Sequence, residues 1–298
     1  HAMFLWNVCY YMRGGTKSTF AVQMMAELYD DRPDLFDCDQ FMLLKDPYEI
    51  ESELKAHKLG FQKTVTKQWM ENSWRMVLEY DGDPRNIFAD IDGSDSSYDT
   101  LVGRIKNDNK GGGFMGFREK MVSMITYYLM DAGMVDAFNF PIPVDLHVMR
   151  VSVANGMVAF PDLQYPANVH SEALLKTLRE VYFDYAKRHD VDPIELCNAV
   201  WLLSEALCGN APGNRVTEPN GRDNREGRLT KIIPELVNPN DPAQIKRYQD
   251  SCGRCPIEKT CDLNIHGGAM YYAAGRLAVR GARLRFPDNT LFPESFLQ

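Results

Sequence analysis

One stretch, Phe140-Pro141-Ile142-Pro143-Val144-Asp145-Leu146-His147-Val148-Met149-Arg150, constrains the fold more than any other. Proline fixes its own φ, lacks a backbone N–H and drives the residue before it out of the helical region. The pair at 141 and 143 therefore holds this approach extended and bars it from any helix. An apolar, helix-permissive run then continues to Asn155-Gly156, which reads as a C-terminal stop. Asp145 falls where the helix N-cap should be. There it can accept a backbone N–H, and the helix dipole favours its ionised form. A structural cap and a functional carboxylate both fit these residues, and the stretch by itself leaves the two open.

The chain has 298 residues, enough for one large domain or two lobes. No apolar run is long enough to span a bilayer and no signal peptide is visible, so a cytoplasmic protein with no membrane partner is expected. His1-Ala2 ahead of Met3 reads as a cloning remnant. A net charge of -8 does not advertise nucleic acid, but its distribution is uneven. Acidic residues crowd Glu27 to Glu53. Arg104, Lys106, Lys110, Arg118 and Lys120 form one basic stretch, and Arg276, Arg280, Arg283 and Arg285 another. Local patches of this kind draw a polyanion, and a solvated helix face explains them equally well.

Before the proline pair the pattern is helical. Phe4 to Tyr11 is apolar, and a further helix runs to Tyr29. Gly14-Gly15-Thr16-Lys17-Ser18-Thr19 between them lacks the spacing of a phosphate loop and reads as a glycine-rich turn. Asp46-Pro47 opens a helix with Tyr48, Ile50 and Leu54 on one face. Lys63 to Tyr80 is helical again, with Trp69, Met70, Trp74 and Val77 at core spacing. After a loop from Asp81 to Ser97, Lys110-Gly111-Gly112-Gly113-Phe114-Met115-Gly116-Phe117-Arg118-Glu119-Lys120 feeds the apolar helix Met121 to Met130. Glycines ahead of a helix N-terminus let backbone N–H groups approach a phosphate closely, although an ordinary loop reads the same way.

Beyond the proline pair, Ser171 to Arg188 is amphipathic, with Leu174, Leu175, Leu178, Val181 and Tyr182 inward. Asp192-Pro193-Ile194-Glu195 gives an N-cap, a proline at the first helical position and a glutamate at the third. That helix runs through Trp201 and Leu207 to Cys208-Gly209. Gly209 to Asp250 is polar and proline-rich, an inserted loop with one short helix.

Seven cysteines in a chain of this size, expected to be cytoplasmic, argue against a disulfide framework. Cys252, Cys255 and Cys261 make a C-x2-C-x5-C run, and Cys208 closes the preceding long helix. One compact knuckle plus a distant thiolate suits a [4Fe-4S] cluster. Structural zinc, the lesser expectation, more commonly shows two C-x2-C knuckles. Cys9, Cys38 and Cys197 lie in apolar contexts and read as ordinary buried thiols.

With these pieces in order, the chain resembles the helix-hairpin-helix DNA glycosylases of the endonuclease III type, over roughly Phe4 to Leu263. That family carries a hairpin of the form L-P-G-V-G-R-K, then a V-D-T-H segment with the catalytic aspartate, then C-x6-C-x2-C-x5-C around a [4Fe-4S] cluster. Here Phe114-Met115-Gly116-Phe117-Arg118-Glu119-Lys120 matches the hairpin, with Arg118 in place of its second glycine. Val144-Asp145-Leu146-His147 matches the aspartate segment, and Cys208, Cys252, Cys255 and Cys261 match the cluster ligands. Lys120 falls on the lysine that bifunctional members use as nucleophile. Three departures stand out: a longer spacing from Lys120 to Asp145, a far longer gap from Cys208 to Cys252, and no glutamine near Met12-Arg13.

The resemblance implies an all-α, two-lobed fold. Residues 22–140 would form a lobe holding the hairpin. Residues 3–21 with 141–298 would form a second lobe carrying the cluster loop, with an insertion at about 209–251. It implies DNA as partner, with Gly113, Gly116, Arg118, Arg254 and Lys259 against the backbone. It implies that a flipped nucleotide loses its base, with Asp145 stabilising the cationic sugar and Lys120 forming a Schiff base. Certain bacteriophage thymine hypermodification enzymes resemble the same family. They imply an alternative, in which an amino acid or amine replaces pyrophosphate on activated 5-hydroxymethyluracil. A cluster-bearing DNA-binding module without catalysis is the third expectation.

Overall fold

The structure, a computed structural model, describes residues 1–12, 17–41, 46–59, 64–94, 96–108, 111–154, 157, 167–168, 172–212, 214–217, 231–234, 240–261, 269–273 and 276–280. Gly14 to Thr16, Lys110, Asn155-Gly156, Arg283 and Arg285 lie outside them. The described residues are mostly helical and divide into two units, His1–Pro143 and Val144–Gln298. Among them, no helix is long and apolar enough to cross a membrane.

The first unit holds α1 (Ala2–Tyr11), α2 (Ser18–Asp31), α3 (Cys38–Phe41), α4 (Pro47–Ala56), α5 (Val65–Tyr80), α6 (Ser97–Ile105) and α7 (Glu119–Asp131). Residues 3–21, expected with the second lobe, belong here instead, because α1 packs against α2 and α7. The reason is its composition. Trp6, Val8, Cys9, Tyr10 and Tyr11 are all buried, so α1 needs cover on nearly every side. Trp6 stacks on Phe117 at 4.4 Å and meets Phe114 edge-on at 4.6 Å. The Cys9 thiol donates to the Met121 carbonyl on α7, at 3.5 Å.

Asp46 caps α4 as expected, accepting the Tyr48 N–H at 2.8 Å. Ile50 and Leu54 are fully buried, but Tyr48 is 80% exposed, because two residues before Ile50 it falls on the opposite face of the helix. On α5, Trp69 and Met70 are inward while Trp74 is 39% exposed. Trp74 belongs to a different stripe of the helix, shared with Leu78 and the surface pair Lys67–Glu71.

The second unit begins with α8 (Leu146–Ala154), followed by α9 (Glu172–His189) and α10 (Pro193–Leu202), which pack on one another. Leu174, Leu178 and Tyr182 point inward on α9, and the Tyr182 hydroxyl lies 3.1 Å from Ser152 Oγ on α8. Val181, expected inward, is exposed because it sits on the flank of that stripe. Asp192 caps α10, accepting from the Ile194 N–H at 2.7 Å.

The insertion is more than a loop with one helix. After β1 (Ala167–Asn168), it carries an antiparallel ribbon of β2 (Asn214–Thr217) and β3 (Lys231–Pro234), then α11 (Pro242–Asp250). Later β4 (Ala269–Ala273) and β5 (Arg276–Arg280) join β1 in the order β1-β5-β4. These strands are short, and helices carry both units.

Candidate functional site

In the first unit, a tight hairpin joins α6 to α7, and its geometry follows from its glycines and aromatics. Phe114 N–H bonds the Ile105 carbonyl at 2.9 Å, and Asn107 N–H the Phe117 carbonyl at 3.0 Å. Gly113, at φ +64, passes so close to α6 that a Cβ there would stand 2.1 Å from the Lys106 carbonyl oxygen. Only glycine fits. Gly116 is also left-handed, at φ +81. Phe114 and Phe117 are fully buried and anchor the turn.

Two side chains on α5, which the sequence reading missed, fasten the hairpin from outside. Asn72 acts as a strand edge would, accepting from the Met115 N–H at 2.7 Å and donating to its carbonyl at 3.0 Å. Arg75 donates to the Gly111 carbonyl at 2.6 Å and also to the Gly113 carbonyl. Arg118 is exposed at the N-cap of α7, and Lys120 is half-buried at the second position of the helix. Lys106 pairs with Glu119 at 3.2 Å across the base of the hairpin. Gly113, Gly116, Arg118 and Lys120 thus follow one another along the hairpin and the first turn of α7.

In the second unit, Asp145 stands where the proline pair predicted, half-buried at the head of α8. Its Oδ1 accepts the His147 N–H at 2.8 Å and the Val148 N–H at 3.3 Å. Both donors stabilise a negative charge there. One turn on, Arg150 is 3% exposed, a buried cation inside the run Val148-Met149-Arg150-Val151. Its Nη1 donates to Ser204 Oγ at 3.1 Å and reaches the Ser204 carbonyl at 3.4 Å, while its Nε has no hydrogen-bond partner among the described residues. Burial pushes the guanidinium down from its ordinary value, and the neighbouring Cys208, Asp145 and Glu205 groups pull the other way. His147 Nδ1 meets the same Ser204 Oγ at 3.1 Å, and its ring lies against Trp201. A lone arginine in an apolar helix was the signal in the sequence for this arrangement.

Ser204 reaches α8 because α10 does not run on as a plain helix to Cys208. Leu203–Leu207 is a π-helical turn and Cys208–Asn210 a 3-10 turn. A π turn is a mid-helix irregularity that often sits at functional sites, and this one ends on a candidate metal ligand.

The four cysteines Cys208, Cys252, Cys255 and Cys261 come into one neighbourhood. Burial, then the nearby Cys255 and Cys261, hold the Cys208 thiol up at about 11 against the pull of Arg150. Burial holds Cys252 up at about 12, helped by Cys261, Cys208 and Cys255 and opposed by a hydrogen bond from Ser251. Burial also raises Cys255, against a hydrogen bond from the Ile257 N–H. Among the described residues, no three His, Cys, Asp or Glu side chains stand at the spacing of a single ion. A cubane cluster spreads its thiolates more widely than one tetrahedral ion does. The knuckle is closed by Cys255 N–H to the Cys252 carbonyl at 3.0 Å. Arg254 and Lys259 are exposed on this loop. Cys9 and Cys38 are buried within the first unit, whereas Cys197, expected to be buried, is half-exposed on α10.

Comparison with known proteins adds no relative: no protein-family model, no curated protein and no solved structure matches the chain.

Proposed function

We propose that this chain is a DNA base-directed enzyme that flips a nucleotide out and breaks its N-glycosidic bond. The observation that carries the reading is Asp145, a half-buried carboxylate fixed by two backbone N–H groups at the head of α8. When the bond between the sugar C1′ and the base nitrogen breaks, the electron pair leaves with the base and positive charge builds on the sugar. A carboxylate already held in place stabilises that charge without reorganising. Asp145 also orients the water that then adds to C1′, taking its proton. In a lyase step, the Lys120 amine adds to C1′ in place of water as the base leaves with the electron pair; the amine loses a proton to solvent and the sugar ring then opens at C1′–O4′, the ring oxygen taking a proton, to leave a Schiff base. Backbone N–H groups at Gly113 and Gly116, with Arg118, are assigned to phosphate, as are Arg254 and Lys259.

The four thiols are assigned to a [4Fe-4S] cluster. Their mutual proximity supports the fit, as does Arg150, a buried cation beside Cys208 whose Nε finds no acceptor among the described residues. When bound, such a cluster cross-links the Cys208 turn to the Cys252–Cys261 loop, which presents Arg254 and Lys259.

The test is to incubate the full chain, purified anaerobically, with duplexes carrying a broad panel of base lesions, then heat in alkali. Strand breaks at the lesion support the reading. Absence of breaks across the panel contradicts it. So does an added mass on hydroxymethyluracil DNA with intact N-glycosidic bonds, after phosphorylation and incubation with amino acids. That result would instead mark the chain as a transferase.

A further inference from the structure

The basic stretch near the C-terminus takes no part in the chemistry above. Between Asp262 and Asp288 the sequence has no Asp or Glu, but it has Arg276, Arg280, Arg283 and Arg285, in a chain whose net charge is -8. Arg276 and Arg280 lie on β5, the central strand of the sheet β1-β5-β4. Successive residues of a strand alternate between the two faces of a sheet, and residues paired across strands share a face. Opposite Arg280 on β4 stands Ala269, opposite Ala278 stands Tyr271, and opposite Arg276 stands Ala273. On β1, Asn168 pairs with Ala278. One face therefore holds Arg276, Arg280, Tyr271 and Asn168, with alanine at its remaining positions. The other holds Met270, Tyr272, Leu277, Val279 and Ala167, an apolar set of the kind that antiparallel sheets pack against a core.

Two ordinary explanations of the arginines fail. Charged residues guard the open edges of sheets, but β5 has a strand on either side. Opposite charges often pair directly across strands, but the partners of Arg276 and Arg280 are alanines, and no Asp or Glu occupies a described position in this sheet. Along β5 the two arginines are four residues apart, about 13 Å. Tyr271 stands on the neighbouring strand, level with the midpoint between them. An aromatic position between two cationic ones matches an unpaired base with a phosphate on each side of it. A duplex keeps its base faces stacked on one another, so this arrangement favours a single strand. Asn168 adds an amide to the same row, a group able to meet a base edge.

We propose that this face of the β1-β5-β4 sheet binds a single-stranded nucleic acid, with a base at Tyr271 and phosphates at Arg276 and Arg280. It is a second nucleic-acid surface, apart in sequence from the hairpin and from the Cys252–Cys261 loop, and it does not depend on base release.

The experiment measures binding of the full chain to an undamaged, fluorescently labelled oligonucleotide by anisotropy over a range of salt. The oligonucleotide is offered as single-stranded DNA, as single-stranded RNA and as a DNA duplex. Replacing Arg276 and Arg280 together by Gln is expected to weaken single-strand binding. It should also make the salt dependence shallower by roughly 1.4 in slope, two phosphates at about 0.7 each. Tyr271→Ala is expected to weaken single-strand binding about tenfold with the salt slope unchanged, the scale of one stacked base. Tyr271→Phe keeps the ring and is expected to recover the parent affinity. Tighter binding of the DNA or of the RNA strand supports the proposal and names the strand. Parent-like affinity in the arginine variant or in Tyr271→Ala overturns it. So does a loss that falls equally on the duplex, the mark of a plain polyanion patch. Because the strand carries no lesion, failure here leaves the glycosylase reading standing, and failure of the lesion assay leaves this one standing.

Discussion

Arg150 donates to Ser204 Oγ at 3.1 Å from inside the second unit, and the carboxylates of Asp145 and Glu205 act on it only through their charge. A buried cation held only by the more distant charges of Asp145 and Glu205 is costly, and removing the charge relieves that cost. Beside bound thiolates the same charge is an asset.

The two states of the metal site should therefore respond to Arg150→Met with opposite signs. The metal-free protein should gain stability, by roughly 1 kcal/mol or more. The loaded protein should lose metal to chelator faster than the parent. Denaturant melts of both states read the difference, and a fall in both would show that Arg150 is only packing.

The hairpin of the first unit depends on Gly113 and Asn72. Gly113→Ala puts a Cβ against the Lys106 carbonyl in a left-handed conformation, at a cost of about 1–3 kcal/mol. Asn72→Ala removes both hydrogen bonds to Met115 from a buried side chain, at about 2 kcal/mol. Urea denaturation measures both. A neutral result for Gly113→Ala would mean that the turn relaxes and cannot be the rigid phosphate cradle assigned to it.

How much of this was legible in the sequence follows from how local each signal is. The caps at Asp46, Asp145 and Asp192 need only their own next three residues, and all stand where the prolines and spacing put them. The C-x2-C-x5-C run announced its own neighbourhood. Burial was harder, because helical spacing gives a face but not its width. Trp74 and Val181 lie just outside the covered stripe, and Tyr48 stands on the opposite face of its helix. The π-helical turn before Cys208 and the β2–β3 ribbon arise from pairings that no single window carries. Ser204 was invisible for a related reason: a serine shows nothing in sequence until its partners are known.

Stability should also depend on pH through His57. Burial pushes its imidazole down, but Asp31, 2.9 Å from Nε2, and the Glu53 carbonyl, 2.9 Å from Nδ1, outweigh it. Both ring nitrogens face acceptors, so only the doubly protonated form satisfies both. The folded value is therefore above the ordinary 6.5. The contribution is complete below 6.5 and is lost as pH rises through the higher folded value. His57→Gln should flatten the fall in melting temperature above neutrality. An unchanged pH profile would contradict the assignment.

Asp145 gives the most direct test of the whole account, since its oxygen keeps the same geometry when the charge is removed. Asp145→Asn should bind duplex DNA as the parent does. On the lesion that the parent acts upon, its single-turnover rate of base release should fall by about 10²–10³-fold. A rate equal to the parent's would mean that the carboxylate only caps α8, and the proposed chemistry would be wrong.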